Sequence, residues 1–355
     1  MLGVDARAFR AAWTVFLLAL GVFALYQIRR TILIFTAALL LAYLLSPLVE
    51  FLDRIRPPNL PRVLTLAVVY VLLLAVLGFA GTTLGATIYS EAAQLAAKAP
   101  SWFSAGDPLM NIPVPASLEP WKAKAIEAIH KELAQNADQI LPFVGHVGQG
   151  ILAVVGNLGF VVLVPILSFF FLKDAASLRR NILDQLIEGP RRSLLEDILS
   201  DAHILLGQFM RALVILALAT LVFYYLFLRA IGLPYAALLA GLAAPLEFIP
   251  MVGPLSASVV ILLVAVFSGN LKLAIWILLF LLAYRLFQDY VLQPYLMSSG
   301  VELHPLAVIF GVLAGEQIAG VAGMFLSIPV IAILRVIYRR ILKARHYAPA
   351  AVAPQ

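Results

Sequence analysis

The sequence predicts an all-α protein that crosses a membrane several times, and three observations carry that reading. Hydrophobic residues make up 63% of the 355-residue chain and charged residues 12%, against roughly 45–50% and about 25% in ordinary soluble domains. The charges are also segregated. Eight stretches (11–28, 31–49, 63–89, 149–172, 212–228, 230–271, 273–284 and 303–334) cover more than half of the chain and hold two formal charges, Glu247 and Glu316. The remainder has the charge density of a soluble surface. A single soluble globule and a disordered chain are both excluded.

A helix needs roughly 20 apolar residues to cross about 30 Å of hydrocarbon. Segments 11–28, 31–49, 63–89, 149–172 and 212–228 meet that length, and 273–284 does so if continued through Arg285 to Asp289. The first span follows Arg7 and Arg10, but no small-residue cleavage site precedes Arg29-Arg30 and a second apolar run begins at Thr31. An uncleaved helix is the expectation. With the N-terminus inside, sixteen Lys and Arg fall on the cytoplasmic side and seven outside, which predicts that both termini are cytoplasmic.

The water-solvated parts divide the chain further. Residues 1–89 form a three-helix membrane segment, followed by an extracytoplasmic loop at 90–148. That loop begins proline-rich and then has an amphipathic run from Trp121 to Ile140, read as a cap on the membrane surface. The fourth span, 149–172, leads into a cytoplasmic helical hairpin at 173–211, with Gly189-Pro190 between its two apolar-faced arms. Those faces must bury against membrane or another protomer, so a homo-oligomer is expected. Residues 212–340 form a transport core of two pseudo-repeats, about 212–271 and 272–340, and 341–355 is a cytoplasmic tail. The arginines from Arg335 onward are expected to anchor the last helix to anionic lipid.

Segments 230–271 and 303–334 are too long for one crossing and too short for two. The first breaks at Glu247-Phe-Ile-Pro250-Met-Val-Gly253-Pro254 and the second at Gly315-Glu-Gln317-Ile-Ala-Gly320-Val-Ala-Gly323. Helices do not continue through such breakers. Both segments are read as re-entrant helical hairpins, whose tips are tolerated at membrane depth only where protein or water solvates them. A shift of 70 residues pairs Leu233 with Leu303, Ala237 with Ala307, Gly241 with Gly311, Ala244 with Ala314 and Gly253 with Gly323. Glu247 then falls on Gln317. One crossing separates the copies, so they would be inverted, a pattern that points to a transporter's central site. The fold expected is six full spans plus two inverted hairpins; the alternative is eight plain helices with proline kinks.

Enzymatic motifs are lacking. There is no phosphate-binding loop, dinucleotide fingerprint, nucleophile elbow or HExxH pair. Cysteine is absent, the five histidines are scattered, and no basic stripe is interleaved with aromatics. No enzyme, metal, cofactor or nucleic acid is expected. The polar residues at depth are therefore the candidates. Glu247 and Glu316 are read as buried carboxylates at the two tips, where an ionisable group is functional by default. Protonation of either could couple to transport. Pro250, Gly253, Pro254, Gln317, Gly320 and Gly323 complete the expected binding region. Arg285 either pairs with Asp289, four residues on, or is the counter-charge of Glu247. Gln288 and Pro294 mark the inner end of that helix. Gly81-x-x-x-Gly85 and Gly311-x-x-x-Gly315 are read as close-packing positions.

At Gly232-Leu-Pro-Tyr235 and Glu247-Phe-Ile-Pro-Met-Val-Gly-Pro254 the chain resembles the autoinducer-2 exporter family of permeases, also described as PerM-like. The likeness continues through Gln288-Asp289, Gln293-Pro294, Leu303-His304-Pro305, Gly320, Gly323 and Pro329, and covers about residues 12–340. Met251 stands where such proteins often have an aromatic residue, and Asp289 where Glu is common. The resemblance implies a bacterial inner-membrane permease with a role in quorum sensing, exporting small polar molecules. His304 and Pro305 are carried over with it as residues surrounding the site. Related members have been assigned cation/proton exchange, so three readings stand: a gradient-driven exporter, a monovalent cation/proton antiporter using the same carboxylates, and a membrane scaffold.

Overall fold

A computed structural model describes residues 6–104, 158–185, 189–268, 271–296 and 303–347, together with Glu119 and Lys124. The expected amphipathic run 121–140 apart from Lys124, the start of the expected fourth span and the end of the tail lie outside the described residues. Every regular element among the described residues is helical: α1 (Ala6–Gln27), α2 (Arg29–Ile55), α3 (Arg62–Ser104), α4 (Leu158–Asp184), α5 (Pro190–Ala230), α6 (Ala236–Leu246), α7 (Val252–Phe267), α8 (Leu271–Phe287), a π-helical turn at Gln288–Leu292, α9 (Gln293–Leu296) and α10 (Pro305–Tyr347). Among the described residues, five helices are long and apolar enough to cross a membrane. The chain is a multi-pass membrane protein.

Helices α2, α3 and α4 pack through Leu45, Val49, Leu66, Val69 and Leu172, and the Tyr70 hydroxyl donates to Ser168 Oγ at 2.6 Å. Helix α3 runs well past residue 89, where the apolar span was expected to end. The added turns have a structural use. Leu95 is buried in the main core, and the Glu91 carboxylate accepts the Leu238 N–H at 2.7 Å. A carboxylate from α3 thus caps the N-terminus of α6, whose first amides have no partner within their own helix. Helix α5 is continuous for 41 residues and joins the amphipathic segment to the span that follows it. Pro190 begins it, where a missing N–H costs nothing. The expected cytoplasmic hairpin is therefore made of extensions of α4 and α5, bridged by Arg192–Asp184 at 3.1 Å and Arg179–Glu196 at 3.7 Å.

Helices α6 and α7 have 11 and 16 residues, about 16 Å and 24 Å at helical rise. Between them the Val252 N–H donates to the Pro250 carbonyl at 2.7 Å, with Met251 at φ 63, ψ −52. That is a γ-turn of the rare positive-φ kind. A β-branched residue there adds about 1–3 kcal/mol of strain, so Met251→Val should lower thermal stability while Met251→Gly is tolerated. Melting of the purified variants checks this; equal midpoints for Val and Gly would refute it. The chain then crosses itself closely at Gly253, where a Cβ would fall on the Leu246 carbonyl.

Helix α10 also reverses. Ala319 (φ −145, ψ 19) and Gly320 (φ 60, ψ −141) are non-helical, and the second of these conformations is one that glycine adopts without penalty. Cβ atoms built on Gly315 and Gly323 would each strike the other's carbonyl, and one on Gly311 would meet Ile331. An unbroken helix would hold Gly315 and Gly323 about 12 Å apart. The arms 305–318 and 321–347 therefore lie side by side. The expected close packing is found at Gly311 and Gly315, but not at Gly81 and Gly85, where a Cβ would meet open space.

The ends of each folded-back pair lie together. A cavity of about 390 Å³ is lined by Gly232 and Tyr235 before α6, by Phe267 and Ser268 at the end of α7, and by Leu273 of α8. A second, of about 550 Å³, is lined by Leu303 and Val308 at the start of α10, by Val336 and Lys343 near its end, and by Gln293. The two pairs thus face opposite ends of the 271–296 rod. Arg340 ties α10 to the part of α5 that precedes its apolar span, reaching Asp201 at 2.7 and 2.8 Å and Asp197 at 2.7 Å. The hydrogen bonds from Arg340 to Asp201 hold that carboxyl below its ordinary range. A lowered folded-state pKa stabilises above the unfolded value and is lost as pH falls through the folded one. Acidification through the carboxylate range should therefore loosen this clamp, and Asp201→Asn should remove that part of the pH dependence. Hydrogen exchange over 335–343 is the measurement, and identical acid profiles for both proteins would count against it.

Candidate functional site

The break after α6 carries Glu247 into the protein. Its side chain is 8% exposed, beside Thr220 of α5 at 0% and Gln288 at 1%. Thr220 Oγ1 donates to Glu247 Oε1 at 2.9 Å, and Gln288 Nε2 donates to Oε2 at 2.9 Å. The Tyr284 hydroxyl lies 3.0 Å from Thr220 Oγ1. An ionised carboxylate only accepts hydrogen bonds, so Thr220 must then point its proton at Glu247 and receive one from Tyr284. Gln288 opens the π-helical turn, a distortion frequent at functional sites. Tyr284 is itself fixed by rings, with Tyr224 at 5.1 Å, Phe223 at 5.8 Å and Phe280 at 5.9 Å.

Beside this cluster lies a cavity of about 640 Å³. The break contributes Pro250, Met251 and Pro254; α8 and the π turn contribute Leu281, Arg285 and Gln288; the first arm of α10 contributes Ile309 and Val312. Gln288 belongs to both the cavity wall and the Glu247 cluster, so it is the contact between them. The walls are otherwise mainly apolar, as in most small-molecule sites.

The remaining sequence candidates sort clearly. Arg285 pairs with Asp289 at 3.0 Å rather than with Glu247, and Gln293 also donates to Asp289, at 3.3 Å. The carboxylate of Glu247 is thus held by neutral donors. Gly253, Gly320 and Gly323 shape the two reversals. Glu316 lies at the second reversal but is exposed on this chain, as is Gln317, so the expectation of a buried carboxylate there is corrected. It sits four residues beyond Val312, on the stripe that lines the cavity but one turn past its wall. The reversals are neighbours: Phe248 packs edge-on against Phe325 at 5.6 Å. His304 precedes α10 and Pro305 begins it, and neither is a hydrogen-bond partner in Glu247's cluster. The imidazole Nδ1 accepts the Leu306 N–H at 3.2 Å, and Pro305 occupies the first helical position. Pro294 is exposed in α9.

Thr220 and Tyr284 were not among the residues expected at the site. A lone hydroxyl in an apolar span most often bonds its own backbone, and only the helix crossing brings these two to Glu247. Among the described residues, no group of three or more His, Cys, Asp or Glu could hold a metal ion.

Residues 15–343 match the family described as AI-2E family transporter. The chain belongs to the AI-2E transporter family. Two relatives from Bacillus subtilis (strain 168) are similar over nearly their whole length. “Putative transport protein YrrI” is 25% identical over 309 residues, covering 87% of this chain and 86% of its own. “Putative transport protein YueF” is 22% identical over 312 residues, covering 86% and 82%. “Putative transport protein MT0215” of Mycobacterium tuberculosis (strain CDC 1551 / Oshkosh) is 34% identical over 105 residues, 30% of this chain and 29% of its own. Membership in the AI-2E family implies transport of a solute across a bilayer, a role without covalent chemistry. The motif residues of this AI-2E family transporter thereby acquire a common setting: Glu247 and Gln288 meet at one cluster, while His304-Pro305 begins the helix that reverses beside it.

Proposed function

We propose that this AI-2E family transporter is a secondary exporter of a small polar signalling molecule of the autoinducer-2 type, with Glu247 as its central group. It works in the bacterial inner membrane with both termini cytoplasmic, driven by an ion or substrate gradient. One observation carries the reading: a buried carboxylate with neutral donors stands at a helix break and reaches a solute-sized cavity through Gln288. Buried carboxylates at membrane depth mark substrate or proton pathways. The paired ends of α6–α7 and of the two arms of α10, at opposite ends of the 271–296 rod, support reading both as inverted re-entrant hairpins. Exposed Leu178, Ile182 and Ile204 on the α4 and α5 extensions support a homo-oligomer.

The cluster supplies a coupling device. When Glu247 is ionised, Thr220 and Gln288 both donate to it. When it is protonated on Oε2, Thr220 still donates to Oε1, but the new O–H needs an acceptor and Gln288 must turn its amide oxygen toward it. The turned amide then presents a different face to the cavity. Protonation and solute binding thus compete for one set of hydrogen bonds.

A second reading is monovalent cation/proton exchange. It is favoured by the oxygens gathered at the cluster, from Glu247, Thr220, Tyr284 and the Gln288 amide, which suit a hard cation. Proteoliposomes carrying an internal pH dye separate the two. Export predicts proton movement that requires an organic, hydroxyl-bearing solute. Flux driven by a sodium or potassium gradient alone would overturn it in favour of exchange, and absence of any flux would leave only the scaffold reading.

A further inference from the structure

The 550 Å³ cavity under the ends of α10 has a charge pattern that the transport site does not use. Arg335, Arg339 and Lys343 all line it. They follow one another at four-residue spacing, so they form a single stripe along the second arm. Arg340 lines it too but is occupied, since both carboxylate oxygens of Asp201, the acidic group in the wall, accept from it. Among the described residues, Arg339 and Lys343 make no ion pair. Arg335 is more telling: its Nη1 is buried and has no hydrogen-bond partner. A buried guanidinium nitrogen without an acceptor is costly, and the wall of this cavity offers it no spare carboxylate.

We propose that this cavity binds a phosphate-class oxyanion through Arg335, Arg339 and Lys343. Guanidinium groups match tetrahedral oxyanions with paired N–H donors, and an ammonium adds an unoriented charge. Below the basic stripe the walls are apolar, formed by Ile204, Phe209, Ile328 and Ala332. A phospholipid headgroup with its upper acyl chain and a soluble phosphorylated molecule share the chemistry the site recognises. Either occupant would join both ends of the reversed helix to α5, and so bear on how far α10 can move.

The test uses the full-length protein with Arg339→Gln/Lys343→Gln, both exposed, and with Arg335→Gln. In one arm, protein in nanodiscs of phosphatidylcholine with about one-fifth phosphatidylglycerol is released into native mass spectrometry and retained lipid is counted. In the other, inorganic phosphate is titrated against thermal stability in neutral detergent, with chloride at matched ionic strength. Loss of about tenfold in retained phosphatidylglycerol in the double variant supports a lipid headgroup. Stabilisation by phosphate in the wild type, absent in the double variant, supports a soluble phosphate. Arg180→Gln, basic and away from the cavity, should match the wild type in both arms. Equal retention and equal phosphate response in wild type and all variants would overturn the proposal.

Discussion

Glu247→Gln is expected to reduce transport by roughly a hundredfold, a little under 3 kcal/mol, while leaving insertion and folding intact. The substitution keeps the shape and much of the bonding. A glutamine carbonyl still accepts from Thr220, and Gln288 can flip to accept from the new amide. What disappears is the titratable proton and the charge-assisted strength of both hydrogen bonds. Arg285→Lys should cost only severalfold, because its partner is Asp289 and an i, i+4 ion pair survives the exchange. Flux in proteoliposomes at matched protein density measures both. Wild-type flux from Glu247→Gln would remove this carboxylate from the mechanism and point to a scaffold.

The second large effect should come from Gly323→Ala. The added methyl would overlap the Gly315 carbonyl, a backbone atom that cannot rotate away. Overpacking of this kind costs about 1–3 kcal/mol, and here it also forces apart the two arms of α10. We expect a lower melting temperature together with loss of transport. Gly253→Ala, against the Leu246 carbonyl, should behave alike. Gly81→Ala and Gly85→Ala provide the contrast, since open space surrounds both and alanine is the better helix former. If all four substitutions melted with the wild type, the side-by-side arrangement of the arms would be untenable.

The breaks, their positions and the inward carboxylate at the first were legible because each has a local cause. Proline and glycine interrupt helices wherever they fall, and a charge in 42 apolar residues is conspicuous. Burial was a different matter. Glu316 has the same composition around it as Glu247, but Gly311 and Gly315 set which face of its arm packs, and Glu316 lies one turn beyond the cavity. Only the angle of one helix to its neighbours decides that, and angle leaves no mark on composition. The π-helical turn was hidden likewise. It shows only in hydrogen bonds running five residues back, such as Gln293 N–H to the Gln288 carbonyl, and without it Gln288 reads as the end of a helix rather than as the group touching both cavity and carboxylate. The extension of α3 was missed because hydropathy falls at Ser90 while helix-forming residues continue beyond it.

The short arms have a consequence for how the protein is made. At 11 residues, α6 is too short to be accepted as a transmembrane helix when it emerges from the ribosome. Its broken end at Glu247 would face lipid with unpaired backbone groups. It can settle only after α7 has been synthesised and the crossing at Gly253 has closed, and the 305–318 arm must wait in the same way for Gly323. On the hairpin reading proposed above, assembly of the core is deferred twice during translation. A probe residue on α6 should stay open to aqueous labelling in chains truncated between residues 246 and 267, and be protected in longer ones.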